Sequence, residues 1–411
     1  MFLHERIGER RDAGRMRAHR PMIQVTDLVK IYETGAVRAV DEVSFTVNEG
    51  EFYTLLGPSG CGKTTTLRCI AGLERANAGM IELGGTVVVA DRLFVPPYRR
   101  DIGMVFQSYA VWPHMTVFEN VAFPLKVGSS RPSSSQMRER VDSALQLVGL
   151  GGYEERMATQ LSGGQQQRLS LARAIVREPS VLLLDEPLSN LDARLRERMR
   201  GELTAIQRRL GVTTLFVTHD QIEALSMSDR IAVMDGGKIV QEGTPEEIYH
   251  EPVNEFVASF IGSTNLFLGK FLGRDEAAKT VSVEVDFGRL VAEDPGVTIE
   301  PDAQVLVAIR PENVVLHHEG AGSSAASESG RPNVIDAKIG IRLFTGNSME
   351  YYIEVEGNLL QVRADSRLKL TRGDEVRVEL NPFDCRVFPV HGQPMVRVGS
   401  RRLSALARVD A

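Results

Sequence analysis

"YTLLGPSGCGKTTTLRCIAGL" (residues 53–73) sets an apolar run, a glycine-rich turn and a helical pattern end to end. Its middle, residues 57–64, fits the spacing G-x-x-x-x-G-K-[ST], and that spacing has a mechanical reason. Gly57, Gly60 and Gly62 let the backbone curl so that successive N–H groups surround phosphates, with Pro58, Ser59 and Cys61 completing the loop and Thr65 just beyond it. Lys63 reaches the β and γ oxygens, and the Thr64 hydroxyl can ligate Mg2+. Strand, loop and helix together read as the start of an α/β nucleotide-binding core. A second consequence concerns Cys61: a helix N-terminus lowers a thiol pKa, so a reactive thiol shielded by nucleotide is expected there, with Cys69 buried and slower.

About a hundred residues on, "QLSGGQQQRLSLARAIVREPSVLLLDEP" (160–187) opens a helix on small residues and ends an apolar strand on two acids. A helix start of that kind presents unpaired N–H groups and a positive dipole end, which suit an anion. The run 181–184 reads as a strand buried on both faces that delivers Asp185 and Glu186 to its carboxyl edge. Taken alone, a capped helix ahead of a core strand explains the stretch as well. Beside the phosphate loop, Asp185 can hold Mg2+ through water and Glu186 can polarise an attacking water, a sufficient division of labour for phosphoryl transfer. A solvated acid at a strand end is the plainer alternative for Glu186.

At 411 residues the chain predicts two or three compact units. With 43% hydrophobic and 25% charged residues it has an ordinary soluble composition, and no apolar run approaches the ~20 residues that span a bilayer. The arginine-rich start has no signal-type apolar core and is expected to be a disordered arm over 1–21, even one produced by an upstream start codon. Three cysteines show neither disulfide density nor metal-ligand spacing, which suits a reducing compartment. A net charge of -6 leaves no basic footprint for nucleic acid.

Short alternating runs from Ile23 to Leu56 read as strands. Between about 108 and 160 the pattern turns helical, as in "QMRERVDSALQLVGL" (136–150), and reads as a helical insertion. Strand and helix signals resume through "TTLFVTHDQIEALSMSDRIAVMDGGKIVQEG" (213–243), so the first domain is placed at 22–262. From 263 to 411 short β-like runs predict a small all-β part, with a mobile loop at about 317–332. In it acidic residues outnumber basic ones, 21 to 18 from Asn265 onward, which again disfavours a nucleic-acid surface.

The combination "GPSGCGKTT", "LSGGQQQR" and "LLLDEP" resembles the ATP-binding cassette (ABC) ATPases. The resemblance covers 22–262 and implies a P-loop NTPase cassette: a RecA-like core, an N-terminal antiparallel β subdomain and the helical insertion. It implies that Tyr32 stacks on adenine and that Gln107 ties the active site to the helical subdomain and contacts Mg2+. It further implies that His219 contacts the γ-phosphate and that Asp192 lies in a loop crossing between subunits. Without the family, Tyr32 is more often a core or edge aromatic and His219 a strand-end residue. In this family Ser162, Gly163, Gly164 and Gln165 hold the γ-phosphate of ATP bound to a second subunit, so the site requires a head-to-tail homodimer with two Mg-ATP.

The later part, with "VAIRPENVVL" (307–316) and "FTGNSMEYYIEVEG" (344–357), is similar to the transport-associated OB-like (TOBE) domain of bacterial binding-protein-dependent importers; an unrelated small β barrel is the alternative. The implied role is the ATPase subunit at the cytoplasmic face of the inner membrane, driving a partner permease supplied by a solute-binding protein. "FQSYAVWPHMTVFENVAFPL" (106–125) and "DEPLSNLDARLRE" (185–197) are most similar to importers of polyamines or ferric iron, with sugar or glycerol phosphate next. Other classes are a non-transport ABC ATPase and an ATP-dependent regulatory binding protein. The resemblance sets Trp112 beside the groove where a permease helix docks; filling the helical subdomain's own core is the competing reading.

Overall fold

Strand β1, Phe52–Leu56, is buried at every residue, as are strands Val181–Asp185 and Thr213–Thr218. Such strands need cover on both faces, and their side chains alternate accordingly. Val181 and Leu183 join one apolar cluster with Tyr53, Leu55, Leu215 and Val217. Leu182 and Leu184 join the opposite one with Phe52 and Phe216. The sheet therefore separates two cores. In the computed structural model, which describes residues 20–32, 37–127, 131–317 and 332–390, its six strands are β1, β2 (Ile102–Val105), β3 (Val181–Asp185), β4 (Thr213–Thr218), β5 (Arg230–Asp235) and β6 (Lys238–Gly243). Their order across the sheet is β6-β5-β1-β4-β3-β2, parallel except for the β5–β6 edge pair.

A parallel sheet gathers the carboxyl ends of its strands along one edge, where ligands of open α/β sheets bind. The loops after β1, β2, β3 and β4 leave that edge. Helix α1 (Lys63–Ala71) follows β1, and a separate five-stranded antiparallel sheet is built from Val37–Asn48, Pro21–Tyr32, Ala78–Leu83, Thr86–Ala90 and Leu93–Phe94. Between β2 and α4 (Gly163–Ile175) stand α2 (Val117–Val127) and α3 (Ser134–Leu147). Helix α3 begins ahead of the helical run read from the sequence because Ser133 caps it: the Ser133 N–H donates to Gln136 Oε1 at 3.0 Å and the Gln136 N–H to Ser133 Oγ at 3.3 Å. Helix α5 (Ala193–Leu210) precedes β4, α6 (Gln221–Met227) follows it, and α7 (Pro245–His250) follows β6.

The chain divides into two units between His250 and Glu251, ahead of the Gly262 expected. The cause is helix α8 (Glu255–Phe260), which buries Ala258 against Leu306, Ala308 and Phe388 of the second unit. Arg310 secures it by donating to the carbonyls of Ala258 (2.9 Å), Ser263 (3.2 Å) and Ile261. Among its described residues the rest of that unit is two five-stranded antiparallel sheets lining one apolar core, with short 3-10 turns at Pro311–Asn313 and Pro382–Asp384. Most of the expected arm over 1–21 and nearly all of the loop at about 317–332 lie outside the described residues. Among the described residues no helix is long and apolar enough to cross a membrane.

Candidate nucleotide site

The loop after β1 lies tight against neighbouring backbone at two of its glycines. A Cβ at Gly57 would stand 2.3 Å from Met234 O, and one at Gly62, whose φ is 105°, would stand 2.2 Å from Ala39 O. Only glycine fits those constraints. Lys63 is buried and folded onto its own loop, where Nζ donates to the carbonyls of Gly57 at 2.8 Å and Pro58 at 2.9 Å. At the start of α1 the Thr64 hydroxyl donates to Asp185 Oδ1 at 2.9 Å, across 121 residues of sequence. Burial pushes the Asp185 carboxyl up, against the pull of Thr64.

Glu186 stands at the same edge with an unusual backbone. Its φ is 43°, and it is held there by its N–H donating to Val217 O at 3.0 Å and by Ser189 Oγ donating to its carbonyl at 2.9 Å. Its Oε2 receives two further groups, Gln107 Nε2 at 3.2 Å and His219 Nδ1 at 3.1 Å. Which partner donates in the His219 contact is set by the imidazole tautomer. Five expected residues at or after the ends of four strands, Thr64, Gln107, Asp185, Glu186 and His219, therefore meet at one sheet edge.

Tyr32 ends its strand half-exposed, with Oη donating to Glu74 Oε2 at 2.5 Å and lying 3.4 Å from Thr65 Oγ1. Burial first, then the Glu74 carboxylate, pushes its phenol pKa up, so the ring stays neutral. Ser162, Gly163, Gly164 and Gln165 start α4, and Gln165 Oε1 accepts the Ser162 N–H at 2.9 Å. Asp192 caps α5 by accepting the Leu195 N–H at 3.0 Å. Among the described residues, none of these five hydrogen-bonds to the phosphate loop.

The thiol expectation is corrected. Cys61, Cys69 and Cys385 are all buried and free. Desolvation outweighs both the helix end and Lys63 at Cys61 and pushes its thiol up, while Cys69 and Cys385 are pushed up to about 12. At pH 7 all three are expected to react with iodoacetamide at least about tenfold more slowly than a free cysteine, since the thiolate is the nucleophile. Peptide mapping of a labelling time course checks this; rapid modification of Cys61 in the native chain would restore the reactive-thiol reading.

Several residues of the site were not singled out from the sequence. Asn190 Nδ2 donates to Gln107 O at 2.9 Å and ties two loops of the site together. Arg196 Nη2 donates to Leu191 O at 2.9 Å and faces Asp220 at 3.5 Å and Glu223 at 3.9 Å, while Thr218 Oγ1 donates to Glu223 Oε2 at 2.5 Å. These bracket His219. Asp220 alone left a signal, a short acid ahead of a helical run, and it does cap α6 by accepting the Ile222 N–H at 2.8 Å.

Residues 40–189 match the ABC transporter family model, and 307–388 match that of the TOBE domain. The chain is 45% identical over 340 residues, 82% of its own length and 86% of the relative's, to the spermidine/putrescine import ATP-binding protein PotA of Mannheimia succiniciproducens. It is 50% identical over 301 residues, 71% of its length and 78% of the relative's, to the trehalose/maltose import ATP-binding protein MalK of Thermococcus litoralis. Among solved structures, CbiO1 of Clostridium perfringens, part of the ABC transporter complex CbiONQ, superposes with a TM-score of 0.52 at 29% identity, covering 55% of this chain and 92% of that one.

Proposed function

The chain belongs to the ABC transporter family as an importer ATPase with a TOBE domain, and from that premise we propose that it hydrolyses two Mg-ATP in a head-to-tail homodimer and drives solute uptake through a permease at the cytoplasmic face of the membrane. The observation that carries the reading is the shared oxygen of Glu186: one carboxylate oxygen meets Gln107 and His219 beside the Thr64–Asp185 pair. This arrangement would set a base for water beside an oxygen-lined cation site.

In this reading Lys63 leaves the carbonyls of Gly57 and Pro58 for the β and γ oxygens of ATP, and Tyr32 presents its neutral ring to adenine. Thr64 Oγ1, Gln107 Oε1 and, through water, Asp185 form a hard oxygen donor set that suits Mg2+, whose charge would offset that of the phosphates. Glu186 takes the proton of the attacking water, and His219 contacts the γ-phosphate. Ser162, Gly163, Gly164, Gln165 and Asp192 face the nucleotide of the second copy, which accounts for an anion-suited helix start lying apart from the chain's own phosphate loop.

A polyamine, or alternatively ferric iron, is the proposed solute, on the resemblance of 106–125 and 185–197; the MalK relative favours a sugar as the second reading. ATP-driven uptake of labelled spermidine, ferric iron or maltose into proteoliposomes containing a partner permease decides among them. Uptake of none, with intact ATPase, would remove the substrate assignment.

Trp112 reports on permease docking. Its ring is half-buried and rests on Phe123 at 4.4 Å between centroids, and Phe123 is itself 36% exposed. Emission is expected to shift to shorter wavelength and lose quencher access when the permease binds. An unchanged spectrum on assembly would reject docking at this surface.

A further inference from the structure

One guanidinium holds the two residues that follow Gln107 and Ser108. Arg173, in the last turn of α4, donates from Nη1 to Ala110 O at 2.6 Å and from Nη2 to Tyr109 O at 2.9 Å. Its Cζ lies 4.6 Å from the centroid of the Trp112 ring. Both gripped residues are left-handed, with φ of 59° at Tyr109 and 47° at Ala110, a conformation uncommon outside glycine. Two such residues in succession turn both carbonyls toward the planar fork of one arginine, and a lysine cannot satisfy them in that geometry. Burial holds the Arg173 pKa below its usual value. Among the described residues its hydrogen bonds go to these carbonyls.

Helix α4 carries Ser162, Gly163, Gly164 and Gln165 at its other end, about 15 Å away at 1.5 Å per residue. On the other side of the grip a single residue, Ser108, separates Tyr109 from Gln107, whose amide bonds Glu186. We propose that Arg173 is a positioning residue that couples the phosphate-facing start of α4 to Gln107, so that seating α4 on a nucleotide moves Gln107 relative to Glu186 and changes the surroundings of Trp112. The coupling rests on the function proposed above. It gives the helix two working ends, one for the partner copy's phosphate and one for its own protomer's Gln107 loop.

The test uses the full chain and two independent ways of breaking the grip. Arg173→Gln removes the fork. Ala110→Val leaves Arg173 in place but puts a β-branched residue where φ is 47°, at an exposed position where no packing is lost. Both are expected to lower kcat at least tenfold while KM for Mg-ATP stays within about threefold, because binding and the phosphate loop are untouched. Both are also expected to abolish most of the change in Trp112 emission that the non-hydrolysable Mg-AMP-PNP produces in the wild type. Arg173→Lys is expected to recover part of kcat, and Ala110→Gly, which suits the left-handed turn, to keep wild-type kcat. If Arg173→Gln fails to fold, the Val and Gly pair at 110 decides. Wild-type kcat and an intact Trp112 response in both disrupting variants would overturn the coupling alone, whereas a wild-type chain that does not turn over Mg-ATP would overturn the functional reading beneath it.

Discussion

Glu186→Gln is expected to lower ATP turnover by about 10²- to 10⁴-fold, the usual size of a general-base contribution, with nucleotide affinity close to that of the wild type. The amide keeps an oxygen that can accept from Gln107 and His219, so the constellation around it survives while its basicity is lost. Phosphate release under saturating ATP, set against an equilibrium nucleotide titration, separates the two quantities. The variant should also accumulate as an ATP-bound dimer in light scattering. Affinity falling in parallel with turnover would make Glu186 a structural residue of the sheet edge rather than the base.

The second large effect falls on Lys63. Two charge-assisted bonds to phosphate, at about 1.5–3 kcal/mol each, correspond to about 10²- to 10⁴-fold in ATP affinity. Lys63→Met should lose that affinity, and the structure adds a separate consequence that needs no nucleotide. Because Nζ satisfies the carbonyls of Gly57 and Pro58, the variant leaves both without their donor and should unfold more easily by about 1–3 kcal/mol. Melting in the absence of nucleotide and a binding titration read the two effects independently. A lowered melting temperature with unchanged ATP affinity would confine Lys63 to holding the loop.

How much of this was legible beforehand depended on whether the constraint lay in local spacing. The phosphate loop was legible because glycine spacing reports backbone geometry, and Gly57 and Gly62 do face carbonyls that would exclude any side chain. The two-faced burial of 181–184 was legible because a short unbroken apolar run has no polar side to turn toward water. Arg173 and Arg196 were not, since an arginine in a helical run looks the same whether it meets water or a carbonyl 63 residues away. Cys61 misled for a related reason: the helix end is visible in sequence, while the depth of burial that outweighs it is set by long-range packing. The unit boundary moved because α8 is too short for its apolar residues to reveal which core they join.

The left-handed backbone at Glu186 bears on what such a position is selected for. A non-glycine residue at that φ carries about 1–2 kcal/mol of strain, and glycine would relieve it while giving back about 0.4–1 kcal/mol through the greater freedom of its unfolded chain. Against that stand the two bonds to its carboxylate, at about 0.5–1.5 kcal/mol each, so thermal stability alone gives a glutamate there little net advantage, and a search for more stable variants of this chain is free to take glycine at 186. That choice would discard the proposed base. A screen that ranks variants by melting temperature would then pass chains that hold their shape and do no work, and at this site tolerance to heat and the capacity for turnover have to be scored apart.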